Sequence, residues 1–327
     1  MQSVEQKQDV LKAAQDGVKK GWSGFLWVMK ILVPISFLTL LLDYSGVIER
    51  LDFLLAPAMG LLSLPSVAAL PLIIGLLTGI YGAVAAMLVL PMGPEEMTLV
   101  AIFLLISHNM IQEGAVQGKA GMNPIKATIF RLVASVVTVA ICAMFLKPQG
   151  SDIAAAVVET AQKAPFFEVI QSWAMDTLGL GIKILLIIIT VMTTLEVMKA
   201  LDVIPIILKP LSPLMRLMGL DHKLGMLWLT ATLFGLSYGS AVIVEETKGN
   251  AFTKEELTRL HLSIGINHAM IEDPALFVPV LLPMGLSTAF IGFWLWIPRL
   301  VAAISAVQLL NLWERLFSGR HKNAQAT

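Results

Sequence analysis

The sequence predicts an all-α, polytopic integral membrane protein made of two homologous repeats with broken or re-entrant helices. Three observations predict it. First, 57% of the 327 residues are hydrophobic and only 14% are charged, with a mean hydropathy of +0.79, whereas a soluble domain carries about 25% charged residues. Second, long stretches lack Asp, Glu, Lys and Arg altogether. Third, four short segments return in the same order in the second half. Lys+Arg and Asp+Glu are both 23, so no basic surplus points to nucleic acid. The single cysteine, Cys142, excludes a disulfide framework and a thiolate metal site.

The uncharged runs place the spans. Residues 31–42, 53–94, 97–112, 132–146, 184–195, 224–244, 274–298 and 300–313 hold no charge, and about 20 apolar residues cross the hydrocarbon core. The 53–94 run is too long for one span and contains Pro57, Pro65 and Pro71. It reads as a short interfacial or re-entrant piece near 46–61 followed by a long helix near 65–90. Residues 1–21 form an N-terminal arm, either amphipathic, with Val4, Leu11, Ala14 and Val18 at helical spacing, or solvent-exposed. The order of units is then the arm 1–21, membrane repeat 1 at 22–147, a polar linker at 148–169, membrane repeat 2 at 170–313, and a polar C-terminal tail at 314–327.

The repeat rests on four anchors. Lys30-Ile31-Leu32 returns as Lys183-Ile184-Leu185. Gly79-Ile80-Tyr81-Gly82-Ala83 returns as Leu236-Ser237-Tyr238-Gly239-Ser240, with Tyr-Gly in register. Ser107-His108-Asn109-Met110-Ile111-Gln112-Glu113 returns as Asn267-His268-Ala269-Met270-Ile271-Glu272-Asp273, and Arg131-Leu132-Val133-Ala134 as Arg299-Leu300-Val301-Ala302. Glycine or proline interrupts matching places: Gly79/Gly82 against Gly235/Gly239, and Gly114 against Pro274. An unwound backbone at membrane depth needs protein or a water-lined cavity to satisfy it, and secondary transporters place their sites at such repeat interfaces. Loop charges favour inverted halves on one comparison, 199–223 against 43–63, and weaken that reading on another, 247–260.

Polar groups inside the apolar stretches carry the chemistry, because an ionisable side chain there is costly. The candidate solute-binding residues are His108, Asn109, Gln112, Glu113, Asn267, His268, Glu272, Asp273, Tyr81 and Tyr238. Spacing of four puts His268 and Glu272 on one helix face. Spacing of five leaves His108 and Glu113 apart, so their convergence calls for a break at Gly114 or a π-turn. Three roles are open: ligation of a divalent cation by His108, Glu113, His268, Glu272 and Asp273, proton carriage by the histidines, or hydrogen bonding to a polar organic solute. Arg131 and Arg299 begin apolar helices in both halves, either as lipid anchors or as countercharges to the carboxylates. No P-loop, dinucleotide glycine pattern or nucleophile elbow stands in context, so the chain reads as a non-enzyme.

The segments Ser107-His108-Asn109-Met110-Ile111-Gln112-Glu113, Gly118-Lys119-Ala120-Gly121-Met122-Asn123-Pro124 and Arg131-Leu132, with Phe252-Thr253-Lys254-Glu255-Glu256-Leu257 leading into Asn267-His268-Ala269-Met270-Ile271-Glu272-Asp273-Pro274, resemble the gate, or nucleoside-recognition, domain. That domain occurs in concentrative nucleoside transporters, in the membrane part of bacterial ferrous-iron permeases and in spore-maturation membrane proteins. The resemblance implies two gate repeats in inverted orientation around a central polar site. The expected function is secondary-type transport of a small polar or ionic solute, a divalent metal ion being preferred. The alternatives are a nucleoside transporter and a non-transporting membrane scaffold or assembly protein. No cofactor is required beyond a divalent metal ion as substrate or ligand. The expected partners are the lipid bilayer, the solute and a second copy in a homodimer, with no nucleic acid. The expected location is a bacterial or archaeal cytoplasmic membrane.

Overall fold

A computed structural model describes residues 2–148, 165–201, 206, 213–220, 222–249 and 252–324. All regular structure among them is helical. The helices are α1 (Gln2–Tyr44), α2 (Val47–Gly60), α3 (Ala69–Thr78, entered through a 3-10 turn at Ser66–Ala68), α4 (Ile80–Met87), α5 (Pro94–Ser107), α6 (Met110–Lys119), α7 (Pro124–Leu146), α8 (Phe166–Ala200), α9 (His222–Gly249), α10 (Lys254–Asn267), α11 (Glu272–Leu281) and α12 (Thr288–Ala324). Among the described residues four stretches are long and apolar enough to cross a membrane: Pro94–Lys119, Pro124–Leu146, Phe166–Met198 and Thr288–Leu316.

Two helices, α5 and α10, form the centre. Residues 96–107 and 260–267 are all buried, the pattern of helices packed on every side. Each is 14 residues long and carries at its third position a glutamate that folds back to cap the amide just before the helix. Gly93 N donates to Glu96 Oε2 (2.7 Å) and Thr253 N to Glu256 Oε2 (2.8 Å). Each ends on a histidine in extended backbone, His108 at φ −72°, ψ 161° and His268 at φ −72°, ψ 160°. Each histidine is followed by a left-handed residue that is not glycine, Asn109 at φ 50° and Ala269 at φ 46°. Such conformations cost about 1–3 kcal/mol and persist only where the surroundings impose them.

The surroundings here are a second pair of breaks. The expected long helix at 65–90 is split at Gly79 (φ 97°), and α9 is split at Gly235 (φ 82°). Asn109 N donates to Gly75 O (2.8 Å), while Ala269 N donates to Ala231 O (3.2 Å) and Met270 N to Thr232 O (2.7 Å). In each half an unwound histidine segment therefore crosses a broken glycine helix, and the freed amides find carbonyls there. The crossings also correct the sequence register. Gly79 matches Gly235, and the close contact of Gly75 with Ala83 matches that of Gly239 with Ala231. Tyr81 therefore stands opposite Ser237 in the pattern, and the Tyr-Gly coincidence with Tyr238 is one residue out of step.

The helices α1 and α8 run antiparallel along their length. Gly17 lies on the Thr193 backbone, Gly21 on Ile189 and Gly181 on Met29. The Phe37–Trp173 and Tyr44–Phe166 ring pairs are each 5.0 Å apart. Lys20 Nζ reaches Glu196 Oε1 at 3.0 Å, so Glu196 has its partner. The expected arm at 1–21 is helical and is not a separate unit: it runs unbroken into the rest of α1, and Gly17 and Gly21 let it lie against α8. Likewise α12 continues beyond 313 into the expected tail, and most of the 148–169 linker lies outside the described residues.

Candidate functional site

The four crossing breaks bring the two histidine segments together. His108 and His268 stand with ring centroids 5.0 Å apart. His108 Nε2 is 3.1 Å from Glu113 Oε1 and 3.6 Å from Asp273 Oδ2, and His268 Nε2 is 3.2 Å from the same Glu113 Oε1. All four side chains are buried. The break that makes His108 and Glu113 converge is at His108–Asn109, where the left-handed Asn109 turns the chain, and not at Gly114. The corresponding break in the second half is at His268–Ala269 rather than Pro274.

The other face of each imidazole fixes its hydrogen. His108 Nδ1 lies 2.8 Å from Leu104 O and His268 Nδ1 lies 3.0 Å from Ile264 O. A carbonyl only accepts, so each Nδ1 carries the proton and donates it. In the neutral ring each Nε2 then keeps a lone pair, and both Nε2 atoms lie close to one carboxylate oxygen, at 3.1 and 3.2 Å. Such crowding of electron-rich atoms favours a proton or a metal cation among them.

Two buried arginines hold the frame. Arg131 (1% exposed) donates from Nε to Ile106 O (2.9 Å) and from Nη2 to His108 O (3.0 Å), and its Nη1 pairs with Glu113 Oε2 at 2.5 Å. Arg299 (0% exposed) repeats the two backbone contacts, Nε to Ile266 O (3.1 Å) and Nη2 to His268 O (2.7 Å). Like Arg131 Nη1, its Nη1 makes no aligned hydrogen bond among the described residues, but unlike Arg131 it also has no carboxylate within ion-pair distance there. Both arginines satisfy carbonyls that the helix breaks would leave bare. Their burial overturns the lipid-anchor reading and leaves countercharge and scaffold.

The remaining expected site residues fall at different places. Glu272 is not beside His268 on one face, because the break separates them. It instead accepts a hydrogen bond from Tyr81 Oη (3.0 Å), joining α11 to α4 next to Asp273. Asn109 Nδ2 donates to Gln112 Oε1 (3.0 Å), with Gln112 exposed, so this pair lies outside the histidine cluster. Asn267 is fully buried, and its amide atoms have no partner among the described residues. The Tyr238 side chain lies outside the described residues. Residues that the motifs did not reveal are Gln117 and His261, which clasp α6 to α10 beside the cluster. His261 stands seven residues before His268, on the same face of α10, and that spacing was the available signal.

The chain is similar to an uncharacterized membrane protein, YvoD, of Bacillus subtilis (strain 168), 25% identical over 275 residues that cover 82% of this chain and 86% of the relative. No family model matches the chain, and no solved structure matches it.

Proposed function

We infer a transport role for this chain, an integral membrane protein by its apolar helices and its membrane-protein relative. We propose that it is a secondary-type transporter of a small ionic solute, with a divalent metal ion preferred, and that the solute sits between two gate-type repeats of inverted orientation. The observation that carries the solute is the pair of Nδ1-anchored imidazoles whose Nε2 atoms both lie within 3.2 Å of Glu113 Oε1. Metal-bound histidines commonly hold their other nitrogen on a carbonyl in this way. Tetrahedral coordination at about 2.1 Å sets donor atoms about 3.4 Å apart. The contacts among His108, His268, Glu113 and Asp273 are 3.1, 3.2 and 3.6 Å, and the His108, His268 and Asp273 donors all lie within 4.8 Å of one another. Nitrogen and carboxylate donors suit Zn²⁺, Mn²⁺ or Fe²⁺. A nucleoside would need these side chains to part, so an ion is the better fit. Glu272, bound to Tyr81, stands aside from this donor set.

Inversion is supported by α1 and α8, which carry the first repeat anchor and pack antiparallel, and the matching breaks meet at the histidine cluster. Two gate repeats of opposite orientation, and membrane units bounded near 22–147 and 170–313, fit this pattern. A second reading, a non-transporting scaffold, draws on the burial of the cluster. The large cavities of about 870 and 580 Å³ are lined by other residues, so under the transport reading this conformation is an occluded one.

The test is elemental analysis of detergent-purified protein, with titration by Zn²⁺, Mn²⁺ and Fe²⁺, for the wild type and for His108→Ala/His268→Ala. Stoichiometric binding that the double variant loses is expected, followed by uptake of that ion into proteoliposomes. Folded wild-type protein that binds none of the three ions removes the metal reading. Binding without uptake moves the assignment to the scaffold.

A further inference from the structure

The clasp between α6 and α10 holds two buried acceptors that the cluster does not use. Gln117 Nε2 donates to His261 O (3.2 Å), and His261 Nε2 lies 2.8 Å from Ala120 O. Both contacts are to carbonyls, which fixes the chemistry at each end. The Gln117 amide must turn its nitrogen to His261 O, so Oε1 points elsewhere. The His261 imidazole must carry its hydrogen on Nε2, so Nδ1 keeps a bare lone pair. Neither Oε1 nor Nδ1 has a donor among the described residues, although Gln117 is 0% and His261 1% exposed. Gly265 permits the crossing, since a side chain there would press on Gln117 Nε2 and on Arg131. Buried acceptors without donors are rare in folded proteins and commonly mark a bound small molecule.

A ligand of these acceptors has to donate hydrogen bonds, be small and be electrically neutral. No carboxylate belongs to the clasp, and a bare cation held by two neutral acceptors would be poorly compensated. Water meets all three conditions. We propose that His261 and Gln117 bind a structural water, the first station of a hydrated branch leading from the histidine cluster to the exposed turn at 121–123. The placement follows from the two helices. Gln117 lies one turn, about 6 Å, beyond Glu113 on the same face of α6, and His261 lies two turns before His268 on the same face of α10. The two levels are therefore stacked, cluster first and clasp second. Beyond the clasp α6 ends at Ala120, and Gly121 and Asn123 are exposed. The proposal rests on the transport reading only for what travels along the branch; the water itself does not depend on it.

X-ray radiolytic footprinting of the full-length protein in detergent tests this. Hydroxyl radicals formed from a bound water oxidise the side chain beside it even where bulk solvent has no access. His261 is expected to be oxidised several-fold faster than Phe277, an equally buried ring in the apolar core. Gln117→Leu is expected to bring His261 down to the Phe277 rate, and Gln117→Asn, which keeps an acceptor, is expected to preserve part of the signal. Oxidation of His261 at the Phe277 rate in the wild type overturns the proposal, as does an unchanged rate in a folded Gln117→Leu protein. Rapid His261 oxidation in a protein that binds no metal leaves the hydrated clasp standing and removes only the metal reading. Metal binding at the cluster with a dry His261 does the reverse.

Discussion

The two buried arginines offer an internally controlled experiment. Arg131 and Arg299 are equally buried, and each donates twice to the carbonyls around its histidine. They differ in the third contact, which is the Glu113 ion pair for Arg131 alone. Hydrogen bonds from a charged donor are worth about 1.5–3 kcal/mol each, a loss that Arg131→Met and Arg299→Met share. Removing one partner of a buried ion pair costs a further ~3–5 kcal/mol, because a carboxylate is left uncompensated. Arg299→Met breaks no such close pair, because Asp273 acts on Arg299 only from beyond ion-pair distance. Against a total stability of about 5–15 kcal/mol, Arg131→Met is therefore expected to unfold at markedly lower temperature than Arg299→Met, or to fail to accumulate. Thermal unfolding followed by tryptophan fluorescence in one detergent gives the order. A second substitution, Glu113→Gln, removes the stranded charge. It should recover much of the loss in Arg131→Met and none of it in Arg299→Met. Equal midpoints for the two arginine variants, or no recovery, would refute the assignment of Glu113 to Arg131.

Other substitutions probe the remaining elements. Single replacement of His108 or His268 by Ala is expected to weaken Zn²⁺ binding by more than the roughly 10–100-fold typical of losing an outer-shell partner, as read by competition with a chromogenic chelator. Gly79→Ala places a side chain at φ 97° and is expected to cost about 1–3 kcal/mol. Gly60→Ala, where a Cβ meets nothing within 4 Å, should change stability by less than about 1 kcal/mol; the two unfolding midpoints decide it. Gly17→Leu and Gly21→Leu overlap the Thr193 and Ile189 backbones and are expected to part α1 from α8, at about 1–3 kcal/mol each. Faster tryptic cleavage after Lys19 and Lys20 would report the separation.

Composition and charge-free runs made the helical membrane class legible, because hydrocarbon imposes long apolar helices on any chain that crosses it. His108, Glu113, His268 and Asp273 were legible for a related reason: polar groups in an apolar run stand out, and both halves carry them. What the pattern did not reveal was the backbone that unites them. A helical wheel puts His108 and Glu113 apart and His268 and Glu272 together, and both inferences fail once the helix is interrupted after the histidine. Asn109 is a plausible left-handed residue, but Ala269 is not; its conformation is imposed by Ala231 and Thr232, which are remote in sequence. The Tyr81–Tyr238 register failed because an identical dipeptide outweighed a glycine that carries the fold. Arg131 and Arg299 begin uncharged runs and so read as helix starts at an interface, but they lie inside α7 and α12, where the packing turns them inward to bare carbonyls.

The carboxylates of the two halves differ by one methylene, and that difference separates stability from binding. Glu113 reaches both the arginine of its own half and the histidines, whereas Asp273 Oδ2 approaches His108 at 3.6 Å and makes no ion pair with Arg299 among the described residues. Asp273→Glu supplies the missing length. The longer side chain is expected to close on Arg299 as Glu113 closes on Arg131, raising the unfolding midpoint. In doing so it turns toward Arg299 and away from His108, so the donor set loses one oxygen. Cation affinity should then fall by on the order of tenfold or more, which is about 1.4 kcal/mol or more of binding free energy. Stability and affinity thus move in opposite directions, as they do where a functional site keeps an unsatisfied pair for its ligand. Calorimetric titration with Zn²⁺ and thermal unfolding of the same preparation measure both. A variant that loses stability and affinity together has only been overpacked, and one that gains both assigns Asp273 to the frame and takes it out of the donor set.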